Sequence, residues 1–166
     1  MLKRGLFTGA VVATLCLGTV AVFAAGPNFS GNWELDKSKS ELSGRMANIQ
    51  GMTMVVTQDA SQITLDMKTQ GGMGEGGQPF TYKLDGSKSS MDVNGRMPAK
   101  ATLTAKWNGD VLELNQDRQM SMNGNDFTVT IKDKLELSKD GATLTVHRTT
   151  ESPRGTQESK LVFTKK

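Results

Sequence analysis

Phe127-Thr128-Val129-Thr130-Ile131-Lys132-Asp133-Lys134-Leu135-Glu136-Leu137 runs through Ser138-Lys139-Asp140-Gly141-Ala142 into Thr143-Leu144-Thr145-Val146-His147-Arg148-Thr149-Thr150, and this stretch decides the fold. Both arms alternate apolar and polar residues with period two, the pattern of strands with one buried face. Asp-Gly between them supplies the positive φ angles of a tight hairpin turn. A tight turn fixes register, and register fixes which side chains share a face. Leu137 then falls opposite Leu144 and Leu135 opposite Val146. Asp133 falls opposite Arg148 on that same inward face, so an acid and a base are expected side by side among Ile131, Leu135 and Val146.

The pattern extends in both directions. Asn123-Gly124 sets Met120 opposite Phe127, Arg118 opposite Val129, Gln116 opposite Ile131 and Leu114 opposite Asp133. With Asn108-Gly109 as a two-residue loop, Ala105 is expected opposite Leu112 and Leu103 opposite Leu114. Asp85-Gly86 and Asn94-Gly95 mark two further hairpins. About ten strands result, near 31–36, 52–59, 62–69, 78–84, 87–93, 97–107, 110–122, 125–138, 142–151 and 158–164. The fold class is all-β: an antiparallel up-and-down meander of about 8–10 strands closing into a barrel, because closure removes exposed edges. A β-sandwich is the alternative. Near 38–49 a short helix or turn is expected, from the capping-box spacing of Ser38 and Glu41 and from Leu42, Met46 and Ile49 on one helical face.

Charged side chains are seldom buried alone. Asp133, Arg148, Gln116 and Arg118 on the inward face therefore imply mutual pairing, internal water or a ligand. In one reading they form an ion-pair network that fixes register. In another, Arg118, Arg148 and Gln116 meet a carboxylate, which guanidinium binds through two parallel hydrogen bonds, and Asp133 orients Arg148. Met54, Met67, Met120, Phe127 and Leu144 would then line the apolar part of the site. Nine methionines remain outside the leader, with Met54 opposite Met67. They serve as plain core filler, as adaptable ligand contacts, or as soft ligands for Cu(I) or Ag(I).

Lys3 and Arg4 precede an apolar run from Leu6 to Ala25 that ends in small residues, the pattern of a secretory signal peptide cut after Ala24. An uncleaved membrane anchor is the alternative. The expected domains are 1–24, signal peptide, and 25–166, a single β-barrel in the periplasm or outside the cell, without a membrane span after cleavage and acting as a monomer. Loss of Cys16 with the leader leaves no thiol and no disulfide. Of 20 basic residues, 18 then remain against 17 acidic ones, a balance that argues against nucleic acid as partner. Gly72, Gly74 and Gly77 match a dinucleotide fingerprint only formally, since a strand follows them rather than a helix. The only histidine, His147, faces outward, Asp133 is the one inward carboxylate, and the serines have no neighbouring base. The expectation is a protein that is not an enzyme, with no cofactor.

Phe29-Ser30-Gly31-Asn32-Trp33-Glu34-Leu35-Asp36-Lys37-Ser38-Lys39-Ser40 resembles the opening of a family of uncharacterised exported bacterial proteins with a Gly-x-Trp first strand. Tyr82-Lys83-Leu84-Asp85-Gly86, Leu137-Ser138-Lys139-Asp140-Gly141-Ala142-Thr143-Leu144-Thr145-Val146 and Ser152-Pro153-Arg154-Gly155-Thr156 are similar to later parts of it. Gly31-Asn32-Trp33 also resembles the first-strand signature of lipocalins, which implies a calycin-type barrel that carries small lipophilic molecules. It further implies an arginine against Trp33, for which Arg118 and Arg148 are the candidates. The strand count and the 37–51 segment are similar to fatty-acid-binding proteins, whose interior arginines hold a carboxylate. The function these readings favour is a lipocalin-like binder of a small apolar or amphipathic molecule. A non-catalytic structural or interaction module without ligand and a methionine-based Cu(I)/Ag(I) binder are the alternatives.

Overall fold

The computed structural model describes residues 26–71, 77–95, 97–122 and 124–166. The leader at 1–24, Gly72, Gly74 and Asn123 lie outside the described residues.

Ten strands follow one another: β1 Gly31–Leu35, β2 Gly51–Gln58, β3 Gln62–Gln70, β4 Phe80–Lys83, β5 Ser89–Val93, β6 Ala99–Asn108, β7 Val111–Met122, β8 Asn125–Leu137, β9 Thr143–Ser152 and β10 Gly155–Lys165. They form one antiparallel sheet in the order β4-β3-β2-β1-β10-β9-β8-β7-β6-β5. The meander curls until β1 pairs with β10, with Trp33 opposite Lys165. The ring stays open only between β4 and β5, where side chains do the stitching. The Gln78 amide donates to the Asp92 carbonyl at 2.7 Å and accepts from the Asn94 N–H at 2.8 Å. The result is a nearly closed up-and-down barrel.

Gly86, Gly95, Gly109, Gly124 and Gly141 all take the positive φ their turns require. Two registers agree with the sequence reading: Met120 faces Phe127, and Asp133 faces Arg148. Met54 likewise faces Met67. The β6–β7 register differs. Strand pairing runs on to Asn108 with Val111, so Gly109 and Asp110 form the turn; Ala105 meets Leu114, and Leu103 meets Gln116. The slip is two residues, which preserves the face of every side chain, so inward alternation does not distinguish the two registers, although Leu103 now lies opposite Gln116 instead of Leu114.

The 37–51 segment contains one turn of 3-10 helix, Gly44–Asn48, without a side-chain cap. The Ser38–Glu41 spacing does not cap a helix. The Ser38 N–H and hydroxyl both donate to the Asp36 carboxylate, at 3.1 and 2.6 Å, and Glu41 pairs backbone to backbone with Lys160 of β10. These local bonds compete with helix, and Gly44 begins the 3-10 turn at a φ of 55°. Among the described residues no helix is long and apolar enough to cross a membrane.

Packing divides the barrel along its axis. Around the β2–β3, β4–β5, β6–β7 and β8–β9 turns, Phe29, Trp33, Val56, Ile63, Leu112, Leu135, Leu144 and Phe163 fill the interior. The Trp33 indole donates to the Phe29 carbonyl at 3.0 Å. The cation against its ring is neither Arg118 nor Arg148 but Lys165, its own strand partner, 5.3 Å from the ring centre. Both arginines sit farther along their strands, beyond reach of this closed end.

Candidate functional site

Toward the other end the interior opens into a cavity of about 810 Å³. Its floor is a polar layer made where inward positions of β7, β8 and β9 carry polar residues instead of leucine or valine. Arg148 grips Asp133 with two hydrogen bonds, Nε to Oδ1 at 2.7 Å and Nη2 to Oδ2 at 2.6 Å. The two side chains keep only 14% and 7% of their surface exposed. Burial by itself pulls the Arg148 pKa down, but the charge and hydrogen bonds of Asp133 outweigh it and hold the pKa above its ordinary value. Tyr82 packs against the same layer, and its phenol is pushed well up, first by burial and then by the charge of Asp133.

Arg118 is differently placed. Its Nη2 donates to Gln116 Oε1 at 3.1 Å, and its guanidinium lies over the Phe80 ring, 5.2 Å from the centre. Among the described residues it forms no ion pair. Burial, followed by the charge of Arg148, lowers its pKa. Among the described residues its Nε has no hydrogen-bond partner, and neither does the Nε2 of Gln116, a residue only 4% exposed. A buried, half-satisfied cation beside an unpaired amide donor costs stability. Arg118 lines the cavity whereas Gln116 does not, so an anion in the cavity would meet the guanidinium and supply the counter-charge it lacks.

Of the residues expected to form the site, Arg118, Arg148, Met67, Met120 and Phe127 line the cavity. Asp133 and Gln116 are buried behind them and act on them through hydrogen bonds. Met54 and Leu144 face inward as expected but lie in the packed end, 1% and 0% exposed, away from the cavity wall. Both sit nearer the closed-end turns than their strand neighbours Met52 and Arg148, which do reach the cavity. The cavity also takes Met46, Met97, Phe80, Arg45 and Arg154. Arg45 and Arg154 lie in turns, where alternation assigns no face. His147 is exposed on the outer surface. Among the described residues no group of three or more His, Cys, Asp or Glu side chains is placed to hold a metal ion.

The fold is a lipocalin-like up-and-down barrel with a cavity toward one end. A solved structure similar to it is the crystal structure of zebrafish ileal bile acid-binding protein complexed with cholic acid, with a TM-score of 0.52 at 14% identity, covering 83% of this chain and 98% of that one. No family model matches the chain. No curated protein matches it either.

Proposed function

We propose that this chain is an exported, non-catalytic barrel that binds a small amphipathic anion, its acidic head on Arg118, which Gln116 holds in place from behind, and its apolar body along the methionine-lined wall. The observation that carries the reading is the uncompensated Arg118 guanidinium, with the unpaired Gln116 amide beside it, at the floor of a cavity large enough for such a ligand. The charge of Arg148 is already offset by Asp133, which leaves Arg118 as the inner cation without a counter-ion among the described residues. The leader-like pattern at 1–24 supports export, and the bile acid named for the zebrafish structure is an amphipathic anion of this kind.

Among the described residues six methionines also line the cavity, including Met52, Met67 and Met120. Their thioethers suit Cu(I) in principle. The described lining, however, carries four arginines and no acid, and of the four only Arg148 has a counter-ion among the described residues, so the net field repels a cation and attracts an anion.

Displacement of a fluorescent fatty acid analogue tests the reading. The wild-type chain is expected to bind it, and Arg118→Ala to weaken binding about 10- to 100-fold, the equivalent of the ~1.5–3 kcal/mol carried by hydrogen bonds to a charged group. Absence of binding to the wild type, or equal affinity in the variant, overturns it.

A further inference from the structure

Arginine and lysine are segregated in this chain. In residues 25–166 lysines outnumber arginines 13 to 5, yet all four described arginines line the cavity and no lysine does. Solubility alone would scatter both types over the surface. Guanidinium, unlike ammonium, presents a planar fork matched to carboxylate, sulfate or phosphate. Arg118 and Arg148 form an inner tier at the cavity floor. Arg45 and Arg154 form an outer tier at the mouth, and among the described residues neither makes an ion pair.

Both outer arginines stand on turns that are held in place. The 3-10 turn bearing Arg45 is pinned to β10: the Ser43 N–H donates to Ser159 Oγ at 3.0 Å, and the Ser43 hydroxyl donates to the Glu158 carbonyl at 2.5 Å. The Gln157 side chain lies so close to Gly44 that a Cβ there would overlap it. In the β9–β10 turn the Arg154 N–H donates to Ser152 Oγ at 3.3 Å, and that hydroxyl donates to the Gly155 carbonyl at 3.2 Å. Between the two tiers the wall is apolar, with Met52, Met67, Met120 and Phe127.

Resting on the anion-binding reading above, we propose that the ligand carries two anionic groups joined by an apolar spacer. Arg118, held by Gln116, receives the inner group, and Arg45 and Arg154 form a second anion subsite for the outer one. The six residues from Arg148 to Arg154 limit the separation of the tiers to about 20 Å, at ~3.3 Å per extended residue.

The test compares dicarboxylic acids of graded chain length with monocarboxylic acids of the same lengths as competitors of the bound fluorescent fatty acid. At one length the diacid is expected to bind about tenfold more tightly than its monoacid, the ~1.4 kcal/mol that a pair of partly exposed charge contacts supplies. The double variant R45Q/R154Q should abolish that gain, weakening the diacid about tenfold more than the monoacid of the same length. Raised salt should erode the gain as well, since exposed charges are screened. Diacids that bind no better than monoacids at any length overturn the second subsite alone. So does a double variant that weakens both classes equally. If neither class binds the wild-type chain, the anion-binding reading falls and the second subsite falls with it.

Discussion

The two ends of this barrel share strands and alternation yet differ in what the inward positions carry. At the closed end β7 presents Leu112 and Leu114, β8 Leu135 and β9 Leu144 and Val146, and all five are buried. A few residues along, the same strands present Gln116 and Arg118, Ile131 and Val129, Arg148 and Thr150, and the interior opens. Branched and aromatic side chains interdigitate to crystal-like density. Methionine and arginine, long and unbranched, lie along the wall instead of meeting in the middle. The difference teaches that backbone closure makes a barrel, while side-chain choice decides how much of it is hollow. The Asp133–Arg148 layer is the partition between the two ends.

The largest expected effect follows from breaking that partition. Arg148→Ala leaves the Asp133 carboxylate buried without its counter-ion, a loss of about 3–5 kcal/mol. Urea unfolding followed by tryptophan fluorescence reads it. Replacing both partners with apolar residues, as in D133L/R148M, should recover most of the loss, since the cost comes from the stranded charge. A loss below about 1 kcal/mol for Arg148→Ala would mean that water reaches Asp133 freely and that the two ends are not separated by a dry layer.

A second contrast compares the ends directly. Leu135→Ala opens a void in the packed end and should cost about 3 kcal/mol, whereas Met120→Ala on the cavity wall should cost less than about 1 kcal/mol. Equal losses in thermal or urea melts would show that the mouth end is as tightly filled as the closed end. The same pair sharpens the functional reading, because Met120→Ala should alter fatty acid affinity while Leu135→Ala alters chiefly the melt.

The sequence made legible what parity and turn chemistry control. The turns at 123–124 and 140–141 placed Asp133 against Arg148 and Arg118 on the inward face, because a one-residue error there would have turned every leucine outward. Three things escaped. Parity says whether a side chain faces inward but not how far along the axis it lies, so Met54 and Leu144 read the same as Met67 and Met120. A slip of two residues at Asn108-Gly109 costs nothing in facing and leaves no trace in the alternation. Arg45 and Arg154 belong to turns, where no periodicity operates, and only their common position at one end of the closed meander brings them to the mouth.

The smallest effect concerns how the closed end is tied off. In its turns Asp59, Asp85 and Asp140 each accept a hydrogen bond from the backbone N–H two residues on, at 2.7, 2.8 and 3.1 Å. Hydrogen bonds from Ser61, Ser87 and Ser138 respectively, with those backbone N–H groups, hold the three carboxyls below the ordinary aspartate range. A pKa lower in the folded than in the unfolded chain adds stability above the unfolded value, near pH 4, and that stability is lost as pH falls through the folded value. All three groups are exposed, so each contribution is modest. The melting temperature should therefore be flat from neutral pH down to about pH 5 and fall below about pH 4. Asn at position 140 keeps an acceptor oxygen but cannot take up the proton. D140N should thus start slightly below wild type at neutral pH and show a shallower acid decline, the two curves converging once Asp140 is protonated. Parallel curves throughout would mean that the Asp140 carboxylate does not help to latch its turn, and that the closed end owes its order to core packing alone.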